Sequence, residues 1–160
     1  MINIVLIEPE IPSNTGNIVR TCVITNTMLH LIKPLGFDIS DKALKRAGLD
    51  YWDSAKIKVY ENLSEFFAQN KGQYVFATTK AQKRYSDFKY DDTTYIFFGK
   101  ETKGIDEALL NQNYDNCVRI PMKASERSLN LANSVAIVLY ECLRQRDFEG
   151  LQDKGQLTKY

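Results

Sequence analysis

The sequence predicts an α/β fold, a mostly parallel sheet flanked by helices. Short apolar runs alternate along the chain with longer amphipathic segments, which is the order that successive βα units produce. Several of these runs, such as Tyr95–Phe98, are apolar at every residue rather than at every second one. Continuous apolar strands are typical of a parallel sheet that is covered on both faces.

The elements are expected in the following order. Strands are predicted at Ile2–Ile7, Met28–Ile32, Ile57–Tyr60, Tyr74–Thr78, Tyr95–Phe98 and Cys117–Ile120. Helices are predicted at Thr15–Thr25, Asp41–Ala47, Leu63–Gln69, Asp106–Asn111 and Leu129–Arg146. Asn62 with Glu65 three residues later predicts a capping box. The chain is interpreted as one domain over residues 1–160, with a frayed tail at 147–160 where the periodicity is lost.

Composition and charge limit the class of protein. The 160 residues are 44% hydrophobic and 26% charged, as in an ordinary globular domain. No apolar run approaches the roughly 20 residues that cross a membrane, and the first residues do not have the pattern of a signal peptide. We therefore expect a cytoplasmic protein without a membrane partner. With a net charge of +1, nucleic acid would be bound by a local patch, or by patches combined in an oligomer.

The cysteines and the histidine do not favour a metal site or a nucleophilic triad. Cys22, Cys117 and Cys142 are scattered and lack the spacing of metal ligands, so they are interpreted as small buried side chains. A single histidine, His30, excludes a zinc site that needs several imidazoles, and a Ser-His-Asp triad would depend on it alone. No metal is expected.

The common phosphate loops are also missing. No G-x-G-x-x-G occurs, and the segment GKETKG (99–104) continues with Ile105 and Asp106 where a P-loop needs lysine and a hydroxyl residue. Hydrolysis of nucleoside triphosphates is excluded on this ground. Three other stretches lie at strand ends: NTGNIVR (14–20), FFGKETKGI (97–105) and IPMKASERSLNLANSVAIVLYE (120–141). Because such loops meet at one edge of a parallel sheet, we expect one small-molecule or nucleotide site there. These residue patterns alone do not identify a reaction.

These stretches resemble the three motifs of the SPOUT-superfamily RNA ribose 2′-O-methyltransferases. N-x-G-N-x-x-R, F-G-x-E-x-x-G-I and I-P-M…S-L-N-L-A-N-S occur in the family's order and spacing over nearly the whole chain. The compact length and the segments EPEIPSNTGNIVR and LKRAGLDYWD are most similar to the branch that methylates the wobble nucleotide, cytidine or uridine 34, of leucine tRNAs. The resemblance implies S-adenosylmethionine as cofactor, the tRNA anticodon stem-loop as partner, a C-terminal deep trefoil knot and a homodimer.

The resemblance also implies roles for individual residues. A cofactor pocket is expected from Ala77, Thr78, Gly99, Ile120, Met122, Ser128 and Leu129. Gly99 would let the backbone approach the cofactor. Arg20, Ser128 and Asn130 are the expected catalytic residues, and Asn14 and Arg20 are expected to contact RNA. Because a guanidinium is effectively never deprotonated, we expect Arg20 to hold a phosphate rather than act as a base. Ser128 or Asn130 would orient the attacking hydroxyl, with water as an acceptor for its proton.

Two basic clusters are candidate RNA surfaces. The first, Lys42, Lys45 and Arg46, shares one face of a predicted helix, and the second, Lys80, Lys83, Arg84 and Tyr85, follows the fourth strand. Phosphate contacts would supply affinity and an aromatic ring could stack on an unpaired base. The alternative for each lysine is an ordinary solvated surface position.

The last helix predicts a homodimer independently of the resemblance. Its core stripe is expected to be Ala132, Val135, Ala136, Leu139, Cys142 and Leu143, whereas Ile137, Val138 and Tyr140 lie outside that stripe. A helix that is apolar on nearly all sides needs a second partner, so we expect it to pack against a second copy. A broad core stripe is the alternative.

Three other functions are left open. One is the same chemistry on ribosomal RNA or at another tRNA position. A second is a non-catalytic RNA-binding dimer, which the intact set of motif residues disfavours: Asn14, Gly16, Arg20, Glu101, Gly104, Ser128 and Asn130. A third is a binding protein for an adenosine metabolite, in which the basic clusters would have no purpose.

Overall fold

The predicted parallel α/β sheet is confirmed. A computed structural model of the chain describes residues 1–40, 42, 44, 46 and 49–159. The strands in these residues are β1 (Ile2–Ile7), β2 (Met28–Ile32), β3 (Ile57–Tyr60), β4 (Gln73–Ala77), β5 (Lys83–Arg84), β6 (Thr94–Phe98) and β7 (Cys117–Arg119). They form one sheet in the order β3-β2-β1-β6-β4-β7-β5, and every pairing is parallel.

Helices cover this sheet. They are α1 (Pro12–Ile24), α2 (Leu63–Gln69), α3 (Glu107–Gln112) and α4 (Leu131–Arg144), with 3-10 turns at Leu49–Ser54 and Tyr114–Asn116. Residues 42, 44 and 46 are helical, but both ends of the predicted helix Asp41–Ala47 lie outside the described residues. In the described part of the chain, no helix is long and apolar enough to cross a membrane.

Helix α1 begins three residues earlier than the sequence predicted. Ile11 is extended and makes no side-chain cap, and Pro12 occupies the first turn. Proline is favourable there because its fixed φ suits the helix and its missing N–H would have had no partner. Asn14, which precedes the predicted helix Thr15–Thr25, therefore lies inside the first turn of α1.

The core lies on both faces of the sheet. Along β1, Ile2, Ile4 and Leu6 join the cluster beneath α1 and α4, whereas Val5 and Ile7 join an aromatic cluster on the opposite face. This alternation follows from the period of two in a strand and explains why all of β1 is buried. The aromatic cluster centres on Phe66, which has edge-on ring contacts with its neighbours.

Several local predictions have clear outcomes. The N–H of Glu65 donates to Asn62 Oδ1 at 2.9 Å, so the Asn62 half of the predicted capping box is present. The Glu65 carboxylate accepts at 2.7 Å from the N–H of Glu61, one residue before the N-cap, rather than from that of Asn62. The expectation that Val138 lies outside the core stripe of α4 is wrong, since it is fully buried. In the segment predicted to fray, Phe148 and Leu151 pack against the core, while residues 152–159 are exposed.

Candidate functional site

A cleft of about 340 Å³ opens at the carboxyl ends of three neighbouring strands, β6, β4 and β7. Its walls come from the residues after these strands and from the start of α4. All seven residues predicted to bind the cofactor line this cleft: Ala77, Thr78, Gly99, Ile120, Met122, Ser128 and Leu129. The structure thus brings together side chains that are up to 52 positions apart, and their role in binding stays a prediction.

The loop after β6 forms one wall and folds tightly on itself. Gly104 has a φ of +69°, which favours glycine, and its N–H donates to the Lys100 carbonyl at 2.8 Å. A Cβ on Gly99 would lie 2.1 Å from the Gly104 carbonyl carbon and 2.3 Å from the Ile105 nitrogen. The need for glycine at position 99 therefore arises first from the loop's own backbone, whereas the sequence analysis had assigned it to the approach of a cofactor.

The segment after β4 forms another part of the cleft wall and is tied to the sheet. The N–H of Thr78 donates to the Val118 carbonyl at 2.9 Å, which extends the contact between β4 and β7. Lys80 pairs with Glu107 at 2.6 Å, and the Tyr114 hydroxyl donates to the Lys80 carbonyl at 3.0 Å. These contacts join the cleft wall to the start of α3.

A chain of hydrogen bonds, which we name the Glu101 relay, connects the three motif loops. The Glu101 carboxylate accepts from the backbone N–H groups of Glu10 at 2.8 Å and Ile11 at 3.0 Å, and from Asn14 Nδ2 at 3.3 Å. Asn14 Oδ1 accepts from Asn130 Nδ2 at 3.0 Å. Asn130 Oδ1 in turn caps α4 by accepting from two backbone N–H groups, at 2.9 and 3.2 Å.

The direction of hydrogen-bond donation along the Glu101 relay follows from the chemistry of its side chains. An ionised carboxylate only accepts, so Asn14 must turn its NH₂ toward Glu101 and its oxygen toward Asn130. The negative charge also lies at the start of α1, where the helix dipole favours an anion. The relay is reinforced by Glu10, which accepts from the N–H of Thr102 at 3.0 Å, and by an ion pair between Glu8 and Lys100 that raises the pKa of Lys100.

This geometry bears on two predicted site residues. Asn14 is 8% exposed and both ends of its amide are engaged inside the protein, which favours a positioning role over the predicted RNA contact. Asn130 uses both lone pairs of its oxygen on α4, so only its second amide proton remains to orient a substrate hydroxyl. Ser128, in contrast, is exposed at the cleft.

Arg20 lies on the exposed side of α1 and is not among the residues that line the cleft. Its guanidinium carbon lies 5.3 Å from the centre of the Tyr51 ring. Within the residues that the structure describes, the Arg20 guanidinium has neither a hydrogen bond nor an ion pair. Its N–H groups are therefore available to an anion.

The two basic clusters differ in their charge environment. Lys42 and Arg46 are exposed and form no ion pair with any described residue, while Lys45 lies outside the described residues. In the second cluster, Lys83 lies 3.9 Å from Asp115 and Arg84 lies 2.7 Å from Asp87. Since these charges are partly compensated, the first cluster is the better candidate for phosphate contact.

Sequence reasoning did not assign a role to Glu101 and overlooked Tyr51, Lys103 and Arg127. Lys103 and Arg127 both line the cleft. The signal for Glu101 was its place in F-G-x-E, because an acidic residue beside a tight glycine turn is suited to accept backbone N–H bonds. Tyr51 lies in the quoted segment LKRAGLDYWD, but no local sequence pattern indicates that it contacts Arg20.

The cysteines agree with their predicted structural role. All three are buried, and burial raises the pKa of Cys22 to about 12 and that of Cys142 to about 11. Thiols with such pKa values are poor nucleophiles at neutral pH. Among the described residues, no group of three or more histidine, cysteine, aspartate or glutamate side chains could hold a metal ion.

Comparison with known proteins gives a consistent result. The profile of the SpoU rRNA Methylase family matches residues 1–140. A Listeria monocytogenes (serotype 4b, strain F2365) protein, named provisionally as a tRNA (cytidine(34)-2′-O)-methyltransferase, is 55% identical over 153 residues, which are 93% of this chain and 90% of that protein. The tRNA (cytidine(34)-2′-O)-methyltransferase of Methylovorus glucosotrophus (strain SIP3-4) is 49% identical and covers 94% and 99%.

The fold is shared with a solved structure that concerns the 2-OH methylation of C/U34 on tRNA. The TM-score is 0.87 at 36% sequence identity, over 93% of this chain and 98% of that one. The similarity therefore extends over nearly the whole chain.

Proposed function

Because the chain belongs to the SpoU rRNA methylase family, we propose that it transfers a methyl group from S-adenosylmethionine to a ribose 2′-hydroxyl of tRNA. The proposed target is the wobble nucleotide, cytidine or uridine 34, of leucine tRNAs. The observation that carries the proposal is that two of the three motif loops line one cleft, while the Glu101 relay joins the third, at the start of α1, to both of them. The names of relatives at 49% and 55% identity support this choice of nucleotide.

The cleft fits the proposed cofactor in size and chemistry. Its volume of about 340 Å³ lies in the range of small-ligand sites, and it combines apolar side chains with loop backbone groups. Ile120 and Met122 offer an apolar surface to an adenine ring, while Thr78 and Ser128 offer hydroxyl groups. S-adenosylmethionine supplies an electrophilic methyl group when it is bound.

The chain's own residues would act by alignment and charge. Ser128, which lines the cleft, would orient a 2′-hydroxyl. Arg20 would hold the phosphate next to the target ribose through two N–H groups, which stabilises negative charge that develops on the oxygen. The proton of the hydroxyl would leave to water, because Arg20 cannot accept it.

RNA would contact the exposed cations Arg20, Lys42 and Arg46. None of these side chains is paired with an acidic residue in the described ranges, so each can contact a phosphate. Such contacts make affinity depend steeply on salt. The tRNA substrate also makes the cytoplasm the proposed location.

Two larger features complete the proposal. The family resemblance implies that the C-terminal part of the chain is tied in a deep trefoil knot, which would hold the residues around the cleft in place. A homodimer through α4 is proposed from its remaining apolar surface. Tyr140 is 44% exposed and Leu129, just before the helix, is 39% exposed.

The test is methyl transfer from labelled S-adenosylmethionine to total tRNA and, in parallel, to ribosomal RNA, followed by nuclease digestion and mass spectrometry. A 2′-O-methylated pyrimidine at position 34 of leucine tRNAs is expected. Incorporation only into ribosomal RNA would replace the substrate. The absence of both products and of cofactor binding would contradict the proposal.

Replacing Arg20 by lysine tests the role of its guanidinium. Lysine keeps the charge but forms one contact where arginine forms two. We expect turnover to fall at least about tenfold, since a bidentate contact is lost. Arg20→Lys with full turnover would contradict the bidentate clamp.

A further inference from the structure

We infer that Tyr51 is the positioning residue for Arg20, holding its guanidinium flat so that its edge is presented to a backbone phosphate of the RNA. The inference rests on the proposed function, because it concerns how the proposed phosphate clamp is oriented. It begins from the 5.3 Å separation between the Arg20 guanidinium carbon and the centre of the Tyr51 ring.

The first step concerns which part of Arg20 is occupied. A guanidinium above an aromatic ring is held by its face, through attraction to the ring's negative quadrupole. Its N–H groups point outward in the guanidinium plane, at the edge. In the described residues these groups meet no acceptor, so the contact with the Tyr51 ring leaves the donors free.

The second step concerns rigidity. On one side, Ile18 and Val19 are at most 1% exposed and fix α1 against the sheet. On the other side, Trp52 packs against the same core cluster, and the N–H of Ala55 donates to the Trp52 carbonyl at 3.2 Å. Tyr51 therefore projects from an anchored turn, and both partners of the stack are held by the core.

The third step concerns the effect of the contact between Tyr51 and Arg20 on the reaction. A free arginine side chain loses rotamer entropy when it is fixed. A guanidinium that is already held by a ring has lost part of its rotamer freedom before RNA binds. Binding a phosphate then costs less side-chain entropy, so the contact contributes more to RNA affinity and to turnover. Tyr51 would act only through Arg20 and would not touch the reacting atoms.

The experiment is a double-mutant cycle between Tyr51→Leu and Arg20→Ala. It measures kcat for methylation and the Kd for a leucine tRNA anticodon stem-loop, the latter being measurable even in inactive variants. In the wild-type background, Tyr51→Leu is expected to lower kcat or weaken RNA binding about threefold to thirtyfold. In the Arg20→Ala background the same change is expected to have an effect below about twofold, because the partner is gone.

Three controls sharpen the result. Tyr51→Phe keeps the ring and should retain nearly wild-type values. Binding of S-adenosylmethionine and the thermal midpoint should be unchanged by Tyr51→Leu. Lys58→Gln removes the similar pair of Lys58 and the Tyr60 ring, at 5.0 Å, and should leave methylation unaffected.

Failure of this inference differs from failure of the proposed function. Equal losses from Tyr51→Leu in both backgrounds, or equal losses from Tyr51→Phe and Tyr51→Leu, would overturn the positioning role while methylation by the wild type stands. A wild-type protein that methylates no RNA would overturn the proposed function itself. Wild-type RNA affinity and turnover in Arg20→Ala would overturn both the clamp and its positioning.

Discussion

Gly99 illustrates how one residue determines the shape of the cleft. A methyl group there would lie well inside contact distance of the backbone of Gly104 and Ile105, and backbone atoms cannot move aside as a flexible side chain would. The loop after β6 would have to open. Since the same loop lines the cleft, its shape and ligand binding should change together.

We therefore predict that Gly99→Ala weakens binding of S-adenosylmethionine at least about tenfold and lowers the thermal midpoint. Gly155→Ala is the matched control, because a Cβ at Gly155 has no neighbour within 4 Å. Calorimetric titration and thermal unfolding measure the two effects. Unchanged affinity in Gly99→Ala would show that the loop adapts at little cost.

His30 is a second residue whose environment leads to a testable prediction, because it changes the pKa of the imidazole. Asn3 Nδ2 donates to the Thr94 carbonyl at 3.3 Å, so Asn3 Oδ1 is left to accept from His30 Nε2–H at 3.2 Å. His30 Nδ1 then accepts from the Tyr60 hydroxyl at 2.9 Å. Burial, with a smaller contribution from the Lys58 charge, lowers the pKa of His30 to about 4.

Folding should therefore become less stable in mild acid. The pKa in the folded protein lies below the value of 6.5 expected in the unfolded chain, so the unfolded state binds more protons as the pH falls. Stability from neutral His30 is complete above pH 6.5 and is lost toward pH 4. We predict a loss of about 2 kcal/mol in the free energy of unfolding between pH 8 and pH 5.

The measurement is urea unfolding at both pH values, for the wild type and for His30→Gln, which does not titrate in this range. The variant is expected to be less stable at both pH values. Between pH 8 and pH 5, however, its free energy of unfolding should fall by about 2 kcal/mol less than that of the wild type. Parallel pH dependence in the two proteins would assign the acid sensitivity to other groups.

At the scale of elements, the Glu101 relay joins the start of α1 to the start of α4. A glutamine at position 101 has one acceptor oxygen where glutamate has two, so a donor among the N–H groups of Glu10, Ile11 and Asn14 loses its partner. We predict that Glu101→Gln lowers the free energy of unfolding by about 1–3 kcal/mol. Methylation should fall with it, since α4 and the cleft lose their tether.

An exchange of partners tests the direction of the relay. Asn14→Asp alone places two carboxylates together and should be destabilising, whereas Asn14→Asp combined with Glu101→Gln lets the new amide donate to the new carboxylate. Part of the lost stability should return in the double variant, as measured by urea unfolding. Glu61→Gln, at an exposed glutamate, is the control. Strictly additive losses would contradict a direct contact between positions 14 and 101.

The element scale also shows what the sequence could and could not predict. Apolar periodicity located the six longer strands to within one residue at each end, because burial on both faces leaves a strong signal. The start of α1 was predicted three residues too late, although Pro12 is favourable at the first helical position. Strand β5 was missed because its two residues, Lys83 and Arg84, are exposed and charged, and only pairing with β7 makes them a strand.

In the candidate site, too, local features could be predicted from the sequence and long-range contacts could not. Residues that line the cleft were predictable, since glycine and apolar positions at strand ends follow local rules and motif resemblance. The relay was not, because Asn14 and Glu101 are 87 positions apart and no local pattern records a hydrogen bond between them. Contacts at this range follow from the strand order, in which β1 and β6 are neighbours.

At the scale of the whole molecule, the exposed apolar side chains bear on the oligomeric state. The burial of Val138 makes the core stripe of α4 broader than predicted, which removes one of the three residues that favoured a second partner. Tyr140 remains 44% exposed, Ile137 is partly exposed, and Ile24 at the end of α1 is 49% exposed. A dimer is still the arrangement that would cover these side chains, because α1 and α4 lie next to each other.

We predict that the wild type is a dimer at micromolar concentration and that Tyr140→Arg shifts it to monomer, because a charge would be buried without a partner in the interface. Size-exclusion chromatography with light scattering measures the mass directly. Leu157→Arg is the control, since Leu157 is 74% exposed in the tail and should tolerate a charge. A wild-type monomer of 18.4 kDa would contradict the dimer, and the exposed apolar residues of α4 would then remain in contact with solvent. A dimer that survives Tyr140→Arg would move the interface away from this face of α4.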